Sequence, residues 1–312
     1  IATVEALAMN LAMAGGRPEY FPVFLAIAEA MMVEAPYVGW NLKDMTSTTR
    51  STFPAFIVSG TIGKQIRLNS GYGLLGPDPV HPANASIGRA VRFMLQILGG
   101  AIAGLGTMSN FGGNRFTNAI FAEDEDGIPK DWKTLGEERG FKRGENCVTG
   151  EAIGNWYCEN IASTGEANSD INSLLAMVPW LTARGAPRRT DPDRSNGFIM
   201  FPDTFAQLLH DAGWTKQKVK QFLYEQTLTT TGEKNALYAK GICTTWNTPY
   251  AYNPEQIMLV ICGGAQAQHT YIMNSITKSQ SRVTKPIKLP KNWDALLAQA
   301  EKDLGPNPGH TG

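Results

Sequence analysis

Several features that would assign a chain to a familiar class are missing from this sequence. Lysine plus arginine and aspartate plus glutamate number 28 each, so no net charge favours nucleic acid or anionic lipid as a partner. No apolar run reaches the roughly 18 residues that a membrane-spanning helix needs. These absences argue against nucleic-acid and membrane partners.

Motifs of common catalytic and metal sites are missing too. The chain contains no Walker loop, no G-x-S-x-G elbow, and no H-x-x-x-H or H-E-x-x-H spacing among its four histidines. We therefore predict no metal site, and the identity of any cofactor stays unknown.

Cysteine is scarce, and the four residues at 147, 158, 243 and 262 form no C-x-x-C pair. So few cysteines in 312 residues do not indicate a disulfide scaffold, and a reduced, cytoplasmic protein is the simplest expectation. Cys147 and Cys158 lie in polar segments, where a thiol could exchange with a partner protein.

Short apolar runs bounded by glycine, such as "AFIVSG" and "LVICGG", alternate with helical patterns along the chain. This alternation predicts an α/β fold with a mixed or parallel sheet flanked by helices. We expect one large domain over residues 1–312; the alternative is two packed lobes at 1–120 and 150–304. Residues 305–312 are expected to fray.

The stretch "QIMLVICGGAQAQH" at 256–269 is the first candidate site. It predicts a buried strand, a turn at Gly263 and Gly264, and a helix that carries His269 in its first turn. The glycines would let a ligand approach the backbone, and His269 would supply a donor or a base. The alternative is that the glycines permit close packing and that His269 is a packing residue.

The segment "NSGYGLLGPDPVHPANASIGRAVR" is the second candidate. Its glycines precede a helix for which Asn84 and Ser86 are plausible caps, an arrangement that suits a carboxylate or a phosphate. The alternative is a long connecting loop. The candidate ligand-binding residues are Asn69, Ser70, Gly71, Arg89 and Arg92.

The acidic segment "FAEDEDGIPKDWKTLGEERGF" is the third candidate. Glu123 directly follows the apolar "AIFA", so we expect it at a strand end, facing a cleft, with Arg139 as its partner. The acids do not have the spacing of an EF-hand. The alternative is a solvated charged face.

Three segments together resemble a known bacterial family: "MAGGRPEYFPVFLAIAEAM", "AEDED…W…ERGF" and "PEQIMLVICGGAQAQH". The family consists of conserved proteins of unassigned role, associated with thioredoxin-like or selenoprotein partners that bear a UGSC motif. The resemblance implies a soluble bacterial α/β protein and raises the thiol hypothesis. The family's pattern has a histidine between Trp132 and Arg139 where this chain has Gly136, so chemistry that used that imidazole would be lost here.

The leading hypothesis is an enzyme that acts on a small polar or anionic organic molecule by acid–base chemistry of the lyase or hydrolase kind. Glu123 and His269 would transfer protons, Arg139 would orient a carboxylate, and the glycine turns at 71–76 and 263–264 would bind the anionic end. One alternative is a thiol redox subunit. Another is a non-catalytic subunit of a homo-oligomer or larger assembly, because the methionine-rich opening helices suit either a core or an interface.

Overall fold

The structure is a computed structural model. It describes residues 2–33, 52–76, 79–108, 120–160, 169–182, 197–240, 250–251, 253–265, 269–275 and 282–308. The helices are α1 Val4–Met13, α2 Phe21–Met31, α3 Ile62–Gln65, α4 Pro82–Phe93, α5 Leu135–Glu138, α6 Ser169–Leu181, α7 Asp203–Asp211, α8 Lys216–Ala239 and α9 Trp293–Leu304. The strands are β1 Phe53–Ser59, β2 Ile120–Ala122, β3 Cys147–Asn160, β4 Gly197–Phe201, β5 Met258–Ile261, β6 His269–Ser275 and β7 Val283–Pro286.

The described strands form one mixed sheet in the order β2-β1-β3-β6-β4-β5, with β7 paired to the first residues of β3. Strands β1 and β2 are parallel, as are β4 and β5, and the pairs that join these two halves through β3 and β6 are antiparallel. The α/β fold with a mixed sheet is confirmed. Strands from both of the suggested lobes belong to this one sheet.

Side chains of β4, β5 and β6 alternate between two hydrophobic cores, as the two-residue period of a strand requires. One core is shared with α1, α2 and α4, and the other with α6, α7 and α8. The sheet is therefore covered by helices on both faces. From these three strands, the first core receives Phe198, Met200, Met258, Val260 and Met273, and the second receives Ile199, Phe201, Leu259, Ile261 and Ile272.

The segment after β2 ties distant parts of the fold together. The amide of Ala122 donates to Asn69 O at 2.9 Å, that of Glu123 to Val58 O at 2.9 Å, and that of Asp124 to Ile261 O at 2.8 Å. Three successive amides thus bond to the loop after α3, to β1 and to β5. The last bond places the segment after β2 beside the end of β5, although β2 and β5 are the two outer strands in the order of the described sheet.

Helix α4 begins at Pro82, two residues before the predicted cap Asn84. Asn84 is instead buried in the first turn, where its Oδ1 accepts from Asn69 N at 2.8 Å and its Nδ2 donates to Ile120 O at 2.9 Å. Ser86 is also inside the helix, where its hydroxyl donates to Gly15 O at 3.2 Å. The cap prediction was wrong because proline suits the first helical position and the polar side chains serve tertiary contacts.

The predicted helix after Gly263 and Gly264 was also wrong. Both glycines have positive φ, 101° and 83°, and His269 is the first residue of β6, not part of a helix. Threonine, tyrosine and isoleucine in "HTYIMNS" favour a strand, and β6 fills the place between β3 and β4.

The C-terminal helix α9 is fastened to the loop after α3. The Arg67 guanidinium donates to the carbonyls of Leu304 and Gly305, and Asn307 Nδ2 donates to Lys64 O at 2.8 Å. The first residues of the segment that was expected to fray are therefore hydrogen-bonded, and residues 309–312 lie outside the described part of the chain.

Among the described helices, none has both the length and the apolar composition that a bilayer crossing requires. The longest of them, α8, has 24 residues and carries several lysines.

We expect Asn84→Ala to lower the free energy of unfolding by about 3 kcal/mol, because the Asn69 amide and the Ile120 carbonyl would be left buried without their partner. Urea denaturation of both proteins measures this. The control is Asn292→Ala, at an exposed position that makes no side-chain cap bond, for which we expect a change within about 0.5 kcal/mol. Equal losses in the two variants would contradict the role given to Asn84.

Candidate functional site

Glu123 lies at the end of β2, as predicted, but it is buried beneath α5. Among the described residues its hydrogen-bond partners are Leu135 and Ser59, so the prediction of Arg139 as its partner was wrong. Both of its carboxylate oxygens accept from Leu135 N, at 2.8 and 2.9 Å, and Oε2 also accepts from Ser59 Oγ at 2.8 Å. Burial raises the pKa of Glu123 to about 7, although the charge of Lys216 and these hydrogen bonds lower it. Near neutral pH this carboxyl therefore exists in both protonation states.

Two buried thiols flank Glu123. Burial raises the pKa of Cys147 to about 12 and that of Cys262 well above its ordinary value, and the negative charge of Glu123 raises both further. Gly136 packs against the same place: a Cβ there would lie 3.2 Å from Ser59 Cβ and 3.4 Å from Cys147 Sγ. A side chain at position 136 would therefore point into this group.

Two lysines of α8 contact Glu138, the last residue of α5, and Lys216 adds positive charge near Glu123. Lys216 Nζ donates to Lys133 O at 2.7 Å and lies 3.2 Å from Glu138 Oε1, while Lys220 Nζ donates to Glu138 Oε2 at 2.8 Å. Both lysine side chains are only 5% exposed, which is rare for lysine. Burial lowers the pKa of Lys220 to about 8.

Arg139 follows α5 directly and lies at the solvent-exposed end of this group of polar residues. The residue is exposed as a whole, but its Nε donates to Thr284 Oγ1 at 3.0 Å, and Thr284 in turn bonds to the buried Thr149 on β3. Desolvation of the guanidinium lowers the pKa of Arg139, and the nearby positive charge of Arg282 lowers it further.

Glu151 is the most deeply buried charged residue of the group. Its side chain is fully buried, Oε1 accepts from Gly197 N at 2.8 Å, and Oε2 accepts from Arg282 Nε at 3.3 Å. Burial raises the pKa of Glu151, against the opposing effect of Arg282. Gly197 is needed here, because a Cβ at this position would meet Met273 O at 1.6 Å.

Together these residues form what we call the polar cluster. It runs from Glu123 and Cys147 at one end to the two arginines at the other, and α5 lies across it. The arginine end carries more positive than negative charge, so it suits an anion. Its members are Ser59, Glu123, Glu138, Arg139, Cys147, Thr149, Glu151, Lys216, Lys220, Arg282 and Thr284.

The two predicted glycine-rich turns do come together. Gly263 N donates to Ser70 O at 2.7 Å, and a Cβ at Gly264 would lie 3.0 Å from the ring of Tyr72. Asn69 folds its own loop: its Oδ1 accepts from Gly71 N at 2.7 Å and its Nδ2 donates to Tyr72 O at 2.7 Å. The Gly263 amide and the Asn69 side chain are thus bonded to protein groups, and ligand binding by these residues stays a prediction.

The other predicted residues lie apart from these contacts. Arg89 is exposed on α4 and its guanidinium stacks 5.3 Å from the centre of the Phe93 ring, and Arg92 is half-buried on the same helix. His269 is exposed at the start of β6, paired with Asn160. In the described part of the chain, no hydrogen bond or ion pair joins His269 to Glu123 or Arg139.

Sequence reasoning missed Glu151, Arg282 and Lys220. A charged residue inside the strand pattern "VTGEAIG" was the available signal for Glu151, whereas nothing local marks the other two. Residues 71–76, "GYGLLG", also spell G-x-G-x-x-G. They form a turn between α3 and α4 and do not directly follow a strand, so the context of a dinucleotide fingerprint is absent there.

Across the ranges that the structure describes, no three His, Cys, Asp or Glu side chains are arranged to hold a metal ion. Of the acids at 123–126, Glu125 accepts from Gly60 N at 2.6 Å and Asp126 forms an ion pair with Lys64.

We expect Glu123→Gln to change how stability depends on pH. Because folding raises the pKa of Glu123 from 4.5 to about 7, the folded state holds a proton that the unfolded state has lost between these values. Over this window the wild type should lose about 3 kcal/mol of stability relative to the variant as pH rises. Urea denaturation at intervals across the window measures the difference, and two parallel profiles would contradict the shifted carboxyl.

No family model matches this chain, and no curated protein or solved structure is similar enough to count as a match. The resemblance drawn from three sequence segments therefore stays a prediction.

Proposed function

We propose that this protein is an enzyme that acts on a small anionic organic molecule by acid–base chemistry of the lyase or hydrolase kind. The observation that supports the proposal is the pair Arg139 and Arg282. The two residues come from separate elements, and their guanidinium groups lie close enough for the charge of one to lower the pKa of the other. Both lie beside the buried carboxyl of Glu151.

Arg139 bonds to Thr284, two residues along the chain from Arg282, and the two like charges repel each other. Glu151 compensates part of this charge, but burial disfavours its ionised form. Glu138 is already shared between two lysines. A bound carboxylate or phosphate would accept paired hydrogen bonds from the arginines and relieve the remaining repulsion.

Glu123 is the proposed proton-transfer group. A general base or acid works best when its pKa is near the working pH, and that of Glu123 is about 7. Ser59, which donates to Glu123, is paired with Cys147 at the start of β3. Two residues further along β3, Thr149 bonds to Thr284, the partner of Arg139, so neighbouring residues of β3 connect the proton-transfer end of the cluster with its anion end. In this scheme Arg139 orients the substrate, as predicted, and His269 has no part.

The thiol alternative has less support. A reactive cysteine needs a lowered pKa, and burial raises that of Cys147 to about 12. Cys158 is exposed and is the remaining candidate of the two. Cytoplasmic location stays part of the proposal, since no disulfide joins the described cysteines 147, 158 and 262 and a reducing compartment would keep them as thiols.

We expect Arg139→Gln to weaken the binding of inorganic phosphate and of succinate at least tenfold, because one charge-assisted contact is lost. Titration calorimetry on the purified chain measures both affinities, and circular dichroism checks that the exposed substitution leaves the fold intact. The matched control is Arg89→Gln, an equally exposed arginine of the predicted glycine-loop site, and we expect unchanged binding. Loss of binding in Arg89→Gln but not in Arg139→Gln would contradict the proposal.

A homo-oligomer is a second proposal, supported by exposed apolar side chains near α1 and after α4. Val4, Met9 and Met13 are 62%, 60% and 54% exposed, and Leu105 is 80% exposed. Exposed apolar groups in such number favour an interface between copies of the chain.

Native mass spectrometry over a wide concentration range tests the oligomer. We expect a multiple of the monomer mass for the wild type and a shift toward the monomer for the double substitution Met9→Lys and Met13→Lys, which places charge on the apolar surface. A monomer mass for the wild type at every concentration would contradict it.

A further inference from the structure

Two buried polar groups near Glu151, on Tyr250 and Asn274, have no role in the cluster as described so far. Within the described part of the chain, the Tyr250 hydroxyl and the Asn274 Oδ1 have no hydrogen-bond partner. The residues are only 1% and 3% exposed. Buried polar groups are nearly always bonded in folded proteins, because an unbonded one destabilises the fold. Two of them on the side of the sheet that holds Glu151 therefore call for an explanation.

Both groups lie on the side of the sheet that holds Glu151. Tyr250 belongs to the second hydrophobic core, and its hydroxyl lies in the electrostatic fields of Glu151 and Arg282. Asn274 is two residues from Ile272, a member of the same core, so the alternation of β6 places both on one face. Its Cα partner Gly197 donates its amide to Glu151.

The hydrogen-bonding capacity of Tyr250, Asn274 and Glu151 indicates which chemical group of a ligand they would bind. The Asn274 oxygen and the Glu151 carboxylate accept hydrogen bonds, and the Tyr250 hydroxyl can accept or donate. Such a lining fits a hydrogen-bond donor, which is what a hydroxyl or an amino group provides. The adjacent Arg282 and Arg139 would hold the anionic end of the same molecule.

We propose that Tyr250, Asn274 and Glu151 form a subsite that recognises a hydroxyl or amino substituent of the anion, so that the substrate class is small hydroxy or amino acids. This inference rests on the proposed function, because the arginine pair must hold the anion. A site built to bond a hydroxyl rejects the analogue that lacks it, since its own groups then stay buried and unpaired.

The test compares acids that differ at one carbon: succinate, malate and aspartate, and the shorter set acetate, glycolate and glycine. Titration calorimetry on the full chain should show one substituted acid binding at least tenfold tighter than its unsubstituted parent. In Tyr250→Phe this preference should fall below threefold while the affinity for the parent acid stays the same. The melting temperature of Tyr250→Phe should equal or exceed that of the wild type, because an unbonded hydroxyl is removed.

The matched control is Tyr20→Phe. Tyr20 is also 1% exposed with an unbonded hydroxyl within the described residues, but it lies in the other core, so its variant should keep the preference for the substituted acid. Equal binding of substituted and parent acids that still depends on Arg139 would overturn the subsite and leave the proposed function standing. Retained preference in Tyr250→Phe, or a lower melting temperature, would also overturn the subsite. Absence of any Arg139-dependent binding would overturn both.

Discussion

Three consecutive backbone hydrogen bonds, donated by the amides of Ala122, Glu123 and Asp124, connect three distant parts of the fold. They join the loop after α3, strand β1 and the end of β5 to one short segment. The Glu123 side chain is fixed by the same segment and binds Leu135 at the start of α5. The Glu123 side chain therefore connects the segment 122–124 to the first residue of α5, the helix that carries Glu138 and precedes Arg139.

The polar cluster beneath α5 is an unusual use of buried space. Lysine and glutamate side chains lose hydration when they are buried, and hydrophobic residues of similar volume would fill the same space with less penalty. The raised pKa values of Glu123 and Glu151 and the lowered pKa of Lys220 are the signs of that penalty. Groups with shifted pKa values are concentrated at binding and catalytic sites, and this is the physical basis for proposing the function here.

Local sequence patterns predicted the elements whose character depends on their own residues. The apolar run at 53–59 became β1, and Glu123 stands at the end of β2 because an apolar run followed by acid marks the point where a strand leaves the core. The prediction of a helix after Gly264 was wrong, because residues 269–275 form the strand that pairs with both β3 and β4, and this pairing depends on the tertiary structure.

The sequence by itself determined the α/β class with its helical layers, and it placed Glu123 at the end of a strand. Only the tertiary structure decided what surrounds that residue. Glu151 and Arg282 are 131 residues apart and meet because β3 and the segment leading into β7 are neighbours in the sheet. Pairing between distant strands is set by the packing of the whole chain, and no local period or spacing records which side chains it will bring together.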